Sequence, residues 1–373
     1  MNGDGGSVGV RAEHRVRALD GLRGVAVLLV VASHLSAYRA DLLGPVGVSI
    51  FFVLSGFLIT SLLLSEHDCW GSISLTKFYV RRALRLYPAM LLLVLVSPAL
   101  LWTIGDPRIA MVERDATTTL LYVQDLVVAS RPIGQSSPFA HCWSLAVEEQ
   151  FYLVWPFALT LVLARASGDR SRVARVVFWT CIVSVCWHLV ANLFASHAWI
   201  DYAPDTNAMF LLAGCAIATH QRARLDKPPA IFSESIVAAT LAFACASALL
   251  LTPLTWSGEH RWRLQMLLML PAMLAGVVLV PGARYLRLLE NAVLRWFGKI
   301  SYGLYLWNSA LVMLEPHGRV LTALQRVGAA LLSVGISAAS WYLVEARVLR
   351  NKARFQRVGY SGAALTGRAA QRG

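Results

Sequence analysis

The chain has 373 residues, of which 57% are hydrophobic and 15% charged, and a mean hydropathy of +0.57. That mix excludes an ordinary soluble globular domain and describes a polytopic membrane protein. The net charge of +13 does not describe a nucleic-acid binder, because the basic residues fall between apolar runs instead of massing on one soluble face.

Apolar runs of spanning length predict ten transmembrane helices, at about 22–38, 46–65, 87–104, 146–164, 176–196, 206–220, 231–251, 264–281, 298–314 and 322–344. The predicted fold is therefore all-α, a membrane helix bundle crossing the plasma membrane many times. The run TTTLLYVQDLVVA from Thr117 is short and broken by Gln124 and Asp125, which makes it a re-entrant or interfacial piece. With that choice, roughly three quarters of the Lys and Arg residues fall on one side, as the positive-inside rule requires, and both termini are expected in the cytoplasm. A signal-peptide reading of the segment after Arg23 fails because so many spans follow it. Residues 1–16 are expected to form a flexible cytoplasmic N-terminus, 17–347 the membrane domain, and 348–373 a basic, disordered cytoplasmic tail. Six cysteines lack the paired spacing of a metal site or a disulfide framework and are read as packing residues, so no metal is expected.

In chain order, the first chemistry-bearing stretch is RALDGLRGVAVLLVVASHL. Arg23 and His34 are eleven residues apart, which puts them about 20° apart around a helix and about 16 Å apart along it. An arginine at the membrane edge and an imidazole near mid-membrane suit a substrate with an anionic head and a reactive end, since histidine exchanges protons near neutrality. A helix-packing histidine with Arg23 as a topology anchor is the competing reading. VGVSIFFVLSGFLIT supplies Ser49 and Ser55 between Gly47 and Gly56, a pattern that favours helix packing over a catalytic serine.

KFYVRRALRLYPA places Arg81, Arg82 and Arg85 within about one turn, a natural phosphate cluster or a lipid-facing anchor. HCWSLAVEEQFYLVWP carries Glu148 and Glu149 into a span, where carboxylates are costly. Glu148, Tyr152 and Trp155 share a helix face, and a carboxylate near His34 would orient the imidazole. Carboxylates capping a helix N-terminus are the structural alternative. Asp205 reads as an N-cap, whereas Asn308, Glu345 and Arg347 read as belt and anchor residues.

Taken in order, LDGLRGVAVLLVVASH, FFVLSGFLIT, FYVRRALRLYP, WSLAVEEQFYLVWP, SYGLYLW and LVEARV closely resemble the bacterial acyltransferase type 3 family of membrane O-acyltransferases, from about Arg17 to Arg347. The resemblance implies transfer of an acyl group from acyl-CoA to a hydroxyl, with acyl-CoA as co-substrate and no bound cofactor. Family members modify surface polysaccharides, peptidoglycan, lipids and macrolide-type natural products. It matches Arg23 and His34 to the family's arginine-to-histidine motif, Arg81, Arg82 and Arg85 to its basic motif, and Glu148 to its conserved glutamate. His34 and Glu148 are then the catalytic pair, Arg23 and the arginine cluster hold acyl-CoA, and Asp20, Glu149 and Tyr152 support them. Ser49, Asn207 and Asn308 depart from the residues usual in the family, which bears on the acceptor pocket. Some polysaccharide-modifying relatives carry an extra C-terminal hydrolase-like domain that this chain is expected to lack, which leads to the expectation of a stand-alone enzyme on a smaller acceptor; the acceptor is expected to carry sugar, as a macrolide-type product or a cell-surface glycan. A multi-pass transporter and a non-catalytic scaffold are the other function classes; the first lacks a visible repeat between halves, and the second would tolerate loss of His34.

Overall fold

The computed structural model describes residues 4–35, 43–103, 105, 108–131, 137–223, 286–312 and 322–351. The expected spans 231–251 and 264–281, the sixth cysteine and most of the basic tail lie outside the described residues. Every described regular element is helical. They are α1 (Asp4–Leu35), α2 (Leu43–Trp70), α3 (Leu75–Thr103), α4 (Ile109–Leu120), α5 (Gln124–Ser130), α6 (Trp143–Ala166), α7 (Arg170–Ala191), α8 (His197–Tyr202) and α9 (Pro204–Ala223). After the gap follow α10 (Leu286–Leu289), α11 (Ala292–Val312), α12 (Ala323–Ser340), a π-helical turn (Trp341–Glu345) and α13 (Ala346–Asn351).

Six of the described helical segments are long and apolar enough to cross a membrane: Arg17–Leu35, Leu43–Trp70, Leu75–Thr103, Ala140–Ala166, Arg170–Ala191 and Leu324–Leu349. Helices α9 and α11 coincide with two further expected spans but are more polar. Many large apolar side chains on α3, α6, α7 and α12, among them Leu95, Trp102, Leu153, Phe157, Val183 and Leu331, point outward. Such a belt is tolerable in lipid and a liability in water.

The run from Thr117 is not a span. The chain breaks at Tyr122, which adopts φ 53°, and continues as the short α5. Its polar residues are buried and bonded: Gln124 donates to Asp115 (3.0 Å), and Gln150 of α6 donates to Asp125 (2.9 Å) and to the Tyr122 carbonyl (2.9 Å). Burial alone would raise the Asp115 pKa, but hydrogen bonds from Arg131, Ser137 and Gln124 outweigh it and hold the carboxyl below its ordinary range. Asp125 has no such cation, and burial pushes its pKa up to about 6. Asp205 is not an N-cap; it lies inside the first turn of α9 and accepts the indole N–H of Trp187 (2.8 Å). Cys142, Cys181 and Cys215 are buried, whereas Cys69 and Cys186 are exposed.

Helix α1 lies between α2 and α11; α2 packs also on α9, α9 on α7, and α11 on α12. Two seams are closed by glycine. A Cβ at Gly24 would overlap the Leu294 carbonyl of α11, and one at Gly298 the Asp20 carbonyl of α1. Likewise a Cβ at Gly56 of α2 would overlap the Leu211 carbonyl, and one at Gly214 of α9 the Val53 carbonyl. Backbones this close gain dispersion contacts that lipid cannot replace, which is how helices associate without a hydrophobic driving force.

Three outcomes are expected. Gly24→Leu and Gly214→Leu should each destabilise the detergent-solubilised protein by about 1–3 kcal/mol or more, read as a lower melting temperature. Gly328→Ala, whose Cβ would meet nothing within 4 Å, should be neutral or slightly stabilising. Because the Asp125 pKa is raised on folding from an ordinary value near 4 to about 6, its contribution to stability is complete below about pH 4 and lost as pH rises through 6. Asp125→Asn should flatten the melting temperature between pH 4.5 and 7.

Candidate active site

The centre of the site is built where α2, α3 and α6 meet. Helix α6 runs alongside α2 in register: Glu148 accepts the Ser55 hydroxyl, and further along Trp155 donates to Thr60 (2.8 Å). One turn after Glu148 on the same face, the Tyr152 hydroxyl donates to Glu148 (2.6 Å). From α3, Arg82 reaches across to Glu149, with its Nη2 at 2.5 Å and its Nε at 3.1 Å, and comes within 3.8 Å of Glu148. Its guanidinium also stacks 3.5 Å from the centre of the Tyr152 ring. Arg82 is therefore fully engaged by protein groups.

These residues border a cleft with a cavity volume of about 100 Å³. Its apolar wall comes from α2, through Phe51, Phe52, Leu58 and Ile59. Its polar wall carries Arg23 of α1, Arg85 of α3, Glu148, Glu149 and a row of tyrosine hydroxyls from Tyr122, Tyr302 and Tyr305. Among the described residues, neither Arg23 nor Arg85 forms a salt bridge or a side-chain hydrogen bond, and their charges repel one another. Two half-buried guanidinium groups without a salt bridge form a site for a multiply charged anion. Arg81, expected in the same cluster, points elsewhere: it pairs with Glu66 at 3.2 Å, the carboxylate that also accepts the Ser74 N–H.

His34 is not at the same place. It occupies the last turn of α1, and its Nδ1 lies 2.7 Å from Oδ1 of the fully buried Asn308 on α11. An amide oxygen only accepts, so this contact puts the proton on Nδ1 and leaves the Nε2 lone pair available. The expected His34–Glu148 pair does not form, and the reason is depth. Gly44 of α2 abuts Ser33 of α1, and Gly47 abuts Ala26 and Val30, so the two helices are antiparallel. Eleven residues on from Gly44 is Ser55, and eleven back from Ser33 is Leu22, so Ser55 and its partner Glu148 sit near the level of Arg23. His34 is about 16 Å away along α1.

The cleft lies at the arginine level and extends to Tyr305, but neither His34 nor Asn308 is among the residues that line it. Tyr305, on its wall, donates to the His141 carbonyl (2.8 Å), contacts the Ser144 hydroxyl (2.5 Å) and stands one turn of α11 before Asn308. Asp20 is near the arginines, within electrostatic reach of Arg23 and Arg85. The sequence motifs do not mark Ser55, Ser144 or the tyrosine row as site residues. Asn308 is marked only as a departure bearing on the acceptor pocket; a polar residue in an apolar run needs a partner, and here that partner is His34. Tyr122 enters through the break before α5, which no spacing rule signals.

The model of the acyltransferase type 3 family, described as an acyltransferase domain, matches residues 16–343. The peptidoglycan O-acetyltransferase OatA of Listeria monocytogenes is 31% identical over 312 residues, which cover 80% of this chain and 50% of that protein. The putative peptidoglycan O-acetyltransferase YrhL of Bacillus subtilis is 31% identical over 333 residues, covering 84% and 50%. A putative O-acetyltransferase of Staphylococcus aureus is 29% identical over 325 residues, covering 84% and 53%. The chain spans about half the length of these curated relatives. No solved structure gives a significant match. With a match over nearly its whole length and ordered motifs that line one cleft, the chain belongs to the acyltransferase type 3 family.

Proposed function

We propose that the protein is a membrane-bound O-acyltransferase that moves an acetyl or other short acyl group from acyl-CoA to a hydroxyl of a sugar-containing acceptor, a cell-surface glycan or a macrolide-type natural product. The observation that carries this reading is the pair of arginines without a salt bridge among the described residues, Arg23 and Arg85, on the wall of a cleft that also carries Tyr305, one turn of α11 before the Asn308 that bonds His34. The relatives' names favour a glycan acceptor.

Acyl-CoA enters with its phosphates against Arg23 and Arg85, from the cytoplasmic side. The pantetheine arm then runs along α1 for about 16 Å, the rise from Arg23 to His34. The thioester carbonyl arrives beside His34. His34 Nε2 takes the proton of the acceptor hydroxyl as its oxygen attacks the carbonyl carbon. The tetrahedral intermediate collapses with cleavage of the C–S bond, and the imidazolium returns its proton to the departing CoA sulfur. Asn308 orients the ring. Glu148, placed in that orienting role by sequence reasoning, is bonded to Ser55 and Tyr152 and acts at the arginine end, where it and Glu149 hold Arg82. Arg82 in turn shapes the wall beside Arg85.

Incubating the detergent-purified protein with acetyl-CoA and peptidoglycan fragments or macrolides, with CoA thiol release and product mass as readouts, tests the reading. His34→Ala should lower kcat by roughly 10²–10⁴-fold without unfolding the protein. Asn308→Leu should lower kcat less and leave the acetyl-CoA KM unchanged. Normal turnover by His34→Ala would sink the mechanism. Arg85→Gln should raise the acetyl-CoA KM about 10- to 100-fold with a small change in kcat, and an unchanged KM would return Arg85 to a topological role.

A further inference from the structure

A second pair of cations stands outside the polar wall of the cleft. Arg295 and Lys299 lie one turn apart on α11 and therefore share a face. Each adjoins a residue in the glycine seam with α1: Leu294, whose carbonyl abuts Gly24, and Gly298, which abuts the Asp20 carbonyl. The seam thus places both residues next to the Asp20–Gly24 stretch of α1, which carries Arg23. Asp20 lies within electrostatic reach of Arg23, Arg295, Lys299 and Arg85 together. One carboxylate stands among four cations.

The nearby carboxylates Glu148 and Glu149 are taken by Arg82, and Glu345 accepts the Ser340 hydroxyl (2.9 Å). The Arg295 Nε is buried and has no hydrogen-bond partner, and among the described residues neither Arg295 nor Lys299 forms a salt bridge. A buried guanidinium N–H without an acceptor is costly and marks a place where a ligand supplies one. The cluster thus consists of two cation pairs on different helices, Arg23 with Arg85 and Arg295 with Lys299. Two separated pairs fit a ligand with two separated anionic groups.

Coenzyme A is such a ligand: a diphosphate joins pantetheine to the nucleoside, and a monophosphate stands apart on the ribose 3′ oxygen. We propose that Arg295 and Lys299 bind the ribose 3′-phosphate of the acyl-CoA, while Arg23 and Arg85 bind its diphosphate. This assignment rests on acyl-CoA being the donor. It makes the pair a specificity device, since the 3′-phosphate takes no part in the chemistry and serves only for recognition.

The test is a comparison of CoA with 3′-dephospho-CoA, titrated calorimetrically into the full chain in detergent. Wild type should bind CoA at least about tenfold more tightly. The Arg295→Gln/Lys299→Gln double variant should bind both nucleotides equally, at the wild-type affinity for dephospho-CoA. Arg85→Gln should weaken both and keep the preference. Arg295→Lys, which retains the charge, should keep most of the preference and guards against a folding artefact. A double variant that still prefers CoA as wild type does, or a wild type that binds the two nucleotides equally, overturns the assignment and leaves the donor reading standing. A folded wild type that binds neither nucleotide overturns both.

Discussion

The arrangement depends on how one guanidinium is neutralised. Arg82 projects from α3 into the bundle, where an unpaired charge is expensive. It is met by Glu149 at hydrogen-bond distance, by Glu148 at 3.8 Å and by the face of Tyr152. Those contacts tie α3 to α6. Glu148 passes the link to α2 through Ser55, so three helices are fastened by one charge cluster. Both carboxylates are spent on Arg82, and among the described residues Arg23 and Arg85 form no salt bridge, with Asp20 the carboxylate in electrostatic reach of both. The cleft is electropositive because its acids are already committed.

The glycine seams set where those cations stand. Helices α1 and α11 approach to backbone contact at Gly24 and Gly298, and α2 and α9 do so at Gly56 and Gly214. Contact this close permits little sliding, since any shift drives backbone into backbone. The distance between the arginine level and the His34–Asn308 pair is accordingly held by two parallel helices that are joined at both ends. A ligand bound by its phosphates at one end meets the imidazole at a constant reach.

Much of this was legible in the amino-acid order. Apolar runs located the six segments able to cross a membrane, and the break at Gln124 and Asp125 correctly removed the run from Thr117. Arg23, Arg82, Arg85, Glu148, Glu149 and Tyr152, all singled out as sequence features, line one cleft. The errors share a cause. Arg81 was grouped with its neighbours because it is close in sequence, but a shift of one residue turns a side chain about 100° around the helix, and it reaches Glu66 instead. Triad analogy and the family resemblance pair Glu148 with His34, but the register between α1 and α2 puts them at different depths, and Asn308 takes the place beside the imidazole.

Sequence by itself determined that the chain is helical and membrane-spanning, that Arg23 and His34 share a helix face about 16 Å apart, and that its motifs occur in the order of one family. These are local properties, set by hydrophobicity, helical periodicity and composition. Only the tertiary structure decided which group answers which. Asn308 is Glu148's replacement beside His34, Ser55 is Glu148's anchor, and Arg295 and Lys299 stand across a seam from the stretch of α1 that carries Arg23. Residues 274 positions apart meet through the register between helices. That register is set by close contact at the glycines and by the need to satisfy every buried charge, and neither can be read from one helix alone.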